Sequence, residues 1–183
     1  MALTHTILAA LSIEPLSGYD LSKQFAEHSG CFWRATQQQI YRELAKLEDQ
    51  GMITCETIPQ DGRPDKKLYS INDFGREHLR EWIAQPSEPT PIREDLLVKV
   101  LAGHLVPRPV ILEELERRRQ VHLEQLSVYQ ELERQRCENL HKLPIEDQCF
   151  CLTLRRGIRY EIDWVAWCDE ANELLTEKST IDV

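Results

Sequence analysis

"FWRATQQQIYRELAKLEDQG" runs from Phe32 to Gly51 and holds the start, the packed face and the end of one helix. Thr36 and Gln39 have the T-x-x-Q form of a capping box, so a helix opens there. Gly51 stands where such a helix stops. At about 100° per residue, Ile40, Leu44 and Leu47 share one face, and that face packs. Opposite lie Gln38, Arg42, Ala45 and Asp49, flanked by Gln39 and Lys46, with Tyr41 at the edge. A helix that only packed could carry Glu, Lys or Ala at those places. Amides at the N-terminal end, followed by cations, suit a helix that enters a DNA groove. Gln pairs with adenine N6/N7, and Arg with guanine or phosphate. The plain alternative is a solvated face.

Outward from this helix, Leu3, Ile7 and Leu11 are spaced i, i+4, i+8, predicting a helix over 3–11. "SGYD" follows, and Ser17 with Asp20 resembles a second capping box. That predicts a helix to about His28 burying Leu21 and Phe25, then a connection, "SGCFWRA". Past Gly51, "MITCETI" alternates like a half-buried strand, "PQDGRPDK" is a turn, and "KLYSI" is a returning strand. Asn72 or Asp73 then caps a fourth helix through Ile83, expected to bury Phe74, Leu79, Trp82 and Ile83. Three helices followed by a two-stranded hairpin predict a winged helix-turn-helix whose third helix reads DNA. The hairpin tip adds Arg63, Lys66 and Lys67, a basic wing suited to adjacent backbone or minor groove. The expected DNA-facing set is therefore Thr36, Gln37, Gln38, Gln39, Tyr41, Arg42 and Lys46 with those three wing residues.

"QPSEPTPIRE" carries three prolines in ten residues and marks a boundary. The organisation expected is a head over 1–84, a linker over 85–93 and a helical part over 94–183. The chain as a whole reads as mainly α with one small β-hairpin. After the linker come a short helix in "EDLLVKVLAG", a break at "VPRP", a long polar helix from about Val110 to Leu140, and a last helix from roughly Glu146 to Leu175. In the long helix Leu112, Leu115, Leu126 and Tyr129 stand near heptad spacing, interrupted by Arg119 and His122, which predicts a crossed or antiparallel pair. The last helix shows two apolar stripes, one of Leu154, Ile158, Ile162 and Val165, the other of Tyr160, Trp164, Trp167, Ala171 and Leu174. One stripe suffices for a surface helix of a monomer. Two predict a cover on each side, and a second copy of the chain is the natural second cover.

Composition limits the alternatives. Hydrophobic residues make up 42 % and net charge is −9. Residues 1–84 carry 9 Lys+Arg against 12 Asp+Glu, so any DNA contact comes from a local patch and not from bulk charge. Apolar runs are too short to span a bilayer, and the N-terminal stretch reads as structure, not as a signal peptide. Six cysteines without a tight framework spacing predict reduced thiols in a cytoplasm. Cys149, Cys151 and Cys168 point in different directions on one helix, so buried or idle thiols are expected, with no metal centre. The histidines show no ligand pair. Phosphate loops, nucleophile elbows and H-E-x-x-H are absent, so neither an enzyme nor a cofactor is expected.

Three stretches, "SGYDLSKQF", "FWRATQQQIYRELAKLEDQGMI" and "LYSINDFGREHLREW", resemble the PadR family of transcriptional regulators. The resemblance rests on Gly18–Tyr19, Ile40–Tyr41, the L-x-x-L-E-x-x-G of Leu44 to Gly51, and Gly75–Arg76. "REDLLVKVLAG" and "LTLRRGIRYEIDWVAWCDEANELL" resemble the C-terminal domain of virulence-activator-like members. The lead-in "ATQQQ" departs from the Pro-Ser-Pro-Gly-Ser type found in many members, so base preference does not carry over. The resemblance implies a homodimer joined by the C-terminal helices on a pseudo-palindromic operator. It also implies a small aromatic effector near Tyr160, Trp164 and Trp167, against the plainer reading of these rings as interface core. The rival functions are a winged-helix adaptor that docks a protein, and a cysteine-based redox or metal sensor.

Overall fold

The computed structural model describes residues 2–27, 35–60, 62 and 65–176. They belong to two compact units, 1–89 and 90–183. The connection around Phe32 and the wing residue Arg63 lie outside the described residues.

The first unit contains α1 (Ala2–Ile13), β1 (Leu16–Ser17), α2 (Gly18–Glu27), α3 (Gln37–Asp49), β2 (Ile53–Ile58), β3 (Lys66–Ile71) and α4 (Asp73–Ile83). Both capping boxes form. The Gln39 amide donates to Thr36 Oγ1 at 3.2 Å, and the Thr36 amide donates to Gln39 Oε1 at 2.8 Å. The Asp20 amide donates to Ser17 Oγ at 3.1 Å, and the Ser17 hydroxyl donates to the Asp20 carboxylate at 2.7 Å. Gly51 ends α3 with φ +69°, a conformation that L side chains rarely adopt. The core joins Ile7, Leu8 and Leu11 of α1, Leu21 and Phe25 of α2, Ile40, Leu44 and Leu47 of α3, and Ile53, Tyr69 and Ile71 of the sheet. Each of these large side chains stabilises the head by roughly 1.5–3 kcal/mol on burial, which holds α3 by one face and leaves the other outward.

Two expectations for this unit need correction. The sheet has three strands in the order β1-β3-β2, all antiparallel. β1 is two residues pairing Leu16 with Tyr69 and Ser17 with Leu68, too short for alternation to reveal. On α4, only Gly75 and Leu79 are buried. Phe74, Trp82 and Ile83 are 60 %, 46 % and 66 % exposed. The close approach at Gly75 sets the packed face, because a Cβ there would stand 2.2 Å from the Met52 carbonyl oxygen. Asn72 ties the same corner, donating to the Gly51 carbonyl at 2.7 Å and accepting from the Gly75 amide at 2.9 Å. Trp82 covers His5 instead of entering the core, with stacked rings 4.2 Å apart.

The second unit contains α5 (Asp95–Leu101), a 3-10 turn (Gly103–Leu105), α6 (Arg108–Arg136), a second 3-10 turn (Leu140–Lys142) and α7 (Ile145–Thr176). α6 and α7 run antiparallel, matching Arg119 with Asp169, His122 with Glu161, Glu133 with Arg155 and Cys137 with Cys151 in order. The buried line of α6 is Ile111, Leu115, His122 and Tyr129, so His122 belongs to the seam and does not interrupt it. Facing it on α7 are Cys151, Leu154, Ile158, Glu161 and Cys168. Ile162 lies off this line and is exposed. The expectation of reduced thiols throughout is corrected too. Cys137 and Cys151 are joined by a disulfide. A search along α7 alone misses it, because the partner sits across the turn at the end of α6. Among the described residues, no helix is long and apolar enough to cross a membrane, and no three His, Cys, Asp or Glu converge on a metal position.

Candidate nucleic-acid interface

α3 presents Gln37, Gln38, Tyr41, Arg42 and Lys46 on the surface, opposite the buried Ile40, Leu44 and Leu47. Not all of these groups are equally available. Thr36 and Gln39 spend their side-chain acceptors on the cap, which leaves the Gln39 amide NH2 as a donor. The Lys46 ammonium is paired with Glu43 at 2.9 Å. Burial works to raise the Glu43 carboxyl, but the Thr4 hydroxyl and Lys46 outweigh it and hold it below the usual range. Arg42 has no ion-pair or hydrogen-bond partner among the described residues, and its guanidinium stands free on the outward face.

The wing brings Lys66 and Lys67 beside the N-terminus of α2. Together with Ser17, Gly18, Tyr19, Asp20, Tyr41, Gln60 and Asp65 they line a groove of about 430 Å³. Lys66 is paired with Asp20 at 3.1 Å. Hydrogen bonding from the Ser17 hydroxyl, opposed by burial and reinforced by Lys66, keeps the Asp20 carboxyl below its usual range. Lys67 is exposed. Gly18 lets the Tyr41 ring lie against the chain, since a Cβ there would stand 2.6 Å from Tyr41 Cε1. The groove therefore joins α3 to the wing through two tyrosines. Tyr19 is exposed at its rim and is absent from the expected set. The Gly18–Tyr19 pair was its signal in the sequence, but nothing in the helical period of α2 connects it to α3.

In the second unit the expected aromatic set divides. Trp164, Trp167 and Ala171 pack on the chain's own cluster of Leu96, Ile111, Leu115 and Cys168. Tyr160 and Leu174 are exposed. The His122 ring stacks on Trp164 with centroids 5.0 Å apart, Arg118 lies 5.5 Å over the same indole, and Tyr160 meets both rings edge-on. His122 Nδ1 is hydrogen-bonded to the Glu161 carboxylate, while its buried Nε2 has no partner among the described residues. Sequence reasoning missed Arg118, His122 and Glu161, because polar residues in a polar helix carry no mark of burial.

A family model described as the PadR-like family of transcriptional regulators matches residues 7–81, and one described as the virulence activator alpha C-terminal domain matches residues 92–176. The probable transcriptional regulator Rv1176c of Mycobacterium tuberculosis is 36 % identical over 188 residues, which is 97 % of this chain and all of that one. Bacillus subtilis PadR, solved in complex with operator DNA, superposes with a TM-score of 0.80 at 27 % identity, covering 96 % of this chain and 99 % of that one. The same protein has been solved with p-coumaric acid, with a TM-score of 0.74. The Vibrio cholerae virulence activator AphA superposes with a TM-score of 0.75 at 32 % identity, covering 94 % and 97 %.

Proposed function

This chain belongs to the PadR-like family of transcriptional regulators, and from that premise we propose that it binds a pseudo-palindromic operator as a cytoplasmic homodimer. The family is one of regulators and not of enzymes. In this reading residues 1–84 are the DNA-binding domain, 85–93 the linker and 94–183 the dimerisation domain. α3 enters the major groove. Gln37, Gln38 and the free amide of Gln39 meet base edges, and Arg42 meets a guanine or a phosphate. Tyr41, Lys46, Lys66, Lys67 and Arg63 contact flanking backbone, with Thr36 holding the helix end that presents them. The observation that carries this reading is Arg42, free and outward beside Gln38 on a helix whose other face is fully buried.

Dimerisation is supported by the surface of the second unit. Leu101, Leu105, Val110, Val128, Leu152 and Leu174 are all exposed. Covering such side chains is favourable by roughly 25 cal/mol per Å². The Tyr160–Trp164–Trp167 cluster, with Arg118 over the central indole, is the place proposed for a small aromatic effector. Bacillus subtilis PadR with p-coumaric acid supports that reading by analogy.

The test is fluorescence anisotropy against duplex from the chain's own upstream region beside a scrambled duplex, across salt. Preference for the native duplex, weakening as salt rises, is the expected result. Equal binding to both at low salt sinks the operator reading and favours the adaptor, for which the acidic head is the motive. Titration with aromatic carboxylates while following tryptophan emission tests the effector, and an unchanged spectrum removes it.

A further inference from the structure

Cys137 and Cys151 stand outside the candidate DNA-facing set, yet they occupy a structural joint. Cys137 is the residue that ends α6, and Cys151 lies in the second turn of α7. Their Cα atoms are 5.7 Å apart across a sequence separation of 14, within the reach that two bridged cysteines need. Cys137 is 5 % exposed and Cys151 is fully buried. Between them the chain reverses through Asn139 in a left-handed conformation (φ 53°), the 3-10 turn and Pro144. The other side-chain ties near this reversal are at most part-buried, among them Gln148 to the Leu143 carbonyl at 2.7 Å and Arg155 to Glu133 at 2.6 Å. Arg136 pairs with Asp147 at 3.6 Å and stands 4.2 Å over the Phe150 ring, and half or nearly half of each partner in the ion pair is in solvent. The bridge is therefore the buried link at this end of the helical pair. The remaining described cysteines are free: Cys55, exposed Cys149, and Cys168, whose thiol burial pushes up.

We propose that Cys137 and Cys151 form a reversible redox latch that locks the α6–α7 reversal when bridged and releases it when reduced. The chemistry balances with a peroxide as oxidant. One thiolate sulfur attacks a peroxide oxygen, the O–O bond breaks, and the departing hydroxide takes a proton to become water. The sulfenic acid so formed is attacked by the second thiolate, its S–O bond breaks, and a second water leaves. The two thiols lose two electrons and two protons, and hydrogen peroxide becomes two waters. A dithiol reductant reverses the bridge by exchange and is itself oxidised to a disulfide. Resting on the dimer reading above, a latch on the longest helices of the second unit also regulates assembly.

The test uses the full-length protein treated with hydrogen peroxide or with dithiothreitol. Peptide mapping should find a Cys137–Cys151 linkage in the first state and two more alkylated thiols in the second. The thermal midpoint should fall by roughly 6–12 °C on reduction, as expected for opening a loop of this length. Cys137→Ser should have the low midpoint in both states, and Cys149→Ser should keep the wild-type response. If Cys151→Ser does not fold, Cys137→Ser with the two wild-type states decides the matter. Absence of the linkage after peroxide, or equal midpoints in the two states, overturns the latch. Sedimentation separates it from the dimer reading. A chain that is monomeric in both states, with a shifted midpoint, overturns the dimer and supports the latch. A dimer about tenfold weaker on reduction supports both, and one of unchanged affinity overturns the regulatory part.

Discussion

α3 and α7 are both amphipathic helices, and they treat their two faces in opposite ways. α3 buries a purely aliphatic stripe and exposes amides and a guanidinium towards its N-terminal end, with Lys46, Glu48 and Asp49 following at its far end. α7 buries a carboxylate, Glu161, within its seam and exposes Leu152, Ile162 and Leu174. A polar residue left outside costs nothing in water, so the outward face of α3 is free to be chosen for a partner rich in hydrogen-bonding edges. An apolar residue left outside is a standing cost that only another apolar surface removes. The two outward faces thus differ in kind: one suits nucleic acid and the other suits protein.

The largest expected effect breaks the polar seam of the second unit. Glu161 is 4 % exposed and hydrogen-bonded to buried His122. Glu161→Ala leaves the buried His122 Nδ1 without its hydrogen-bond partner and should cost roughly 3 kcal/mol, the upper end for a buried polar group left unsatisfied. The double replacement His122→Leu with Glu161→Leu should recover most of that loss. Urea unfolding of the three proteins measures both, and a neutral Glu161→Ala would mean that the aromatic stack holds the seam without the pair.

The head has a corresponding weak point at high pH. Burial, with the charges of neighbouring groups, raises the Tyr69 phenol from 10.0 to about 12. The unfolded chain loses this proton near pH 10 while the folded chain keeps it. Stability from the neutral phenol is therefore complete below pH 10 and is lost as pH rises to about 12. The loss is roughly 2–3 kcal/mol. Comparing urea midpoints at pH 9 and pH 11.5 shows the slope, and Tyr69→Phe should flatten it.

The same contrast explains what could be read in the sequence. α3 was legible down to its cap because Thr36, Gln39, the Ile40–Leu44–Leu47 stripe and Gly51 are all local signals that agree. The hairpin was legible because β2 and β3 are long enough to alternate. β1 was not, since two residues show no period. Phe74, Trp82 and Ile83 look like core, yet α4 meets the head through Gly75, a contact that depends on where Met52 lies in space. His122 reads as a break in a heptad until Glu161 stands opposite it. Cys137 and Cys151 are joined by a turn whose geometry neither helix displays. The candidate DNA-facing residues were legible as a face, but which of them are already paired was legible only in part. Lys66 meets Asp20 only through tertiary geometry, whereas the i,i+3 spacing of Glu43 and Lys46 on α3 does mark their pairing in the sequence.

For the outward face of α3, Arg42→Ala should weaken operator binding by about 1–3 kcal/mol, or roughly 5- to 150-fold, through loss of a guanine or phosphate contact. The thermal midpoint should not move, because Arg42 has no partner in the head among the described residues. The slope of log affinity against log salt should also fall by about 0.9 if the contact is to phosphate. Full affinity in the variant would place the reading helix elsewhere.

Lys46 gives the smallest effect and the sharpest test of how pairing matters. Its ammonium is half exposed and already bonded to Glu43, whose carboxylate also accepts from the Thr4 hydroxyl. To reach a phosphate, Lys46 must leave that carboxylate or bring its negative charge close to the DNA. Lys46→Ala should therefore cost DNA binding less than Arg42→Ala, about 0.2–1 kcal/mol in keeping with an exposed pair. Glu43→Gln should act in the opposite sense. The amide keeps an oxygen for Thr4, releases the ammonium and removes a negative charge from the DNA side, so affinity should rise. Measured at matched salt, a Glu43→Gln variant that binds more weakly would mean that Glu43 positions Lys46 and does not compete for it. The basic residues of the head would then work as paired groups, much as the seam of the second unit does.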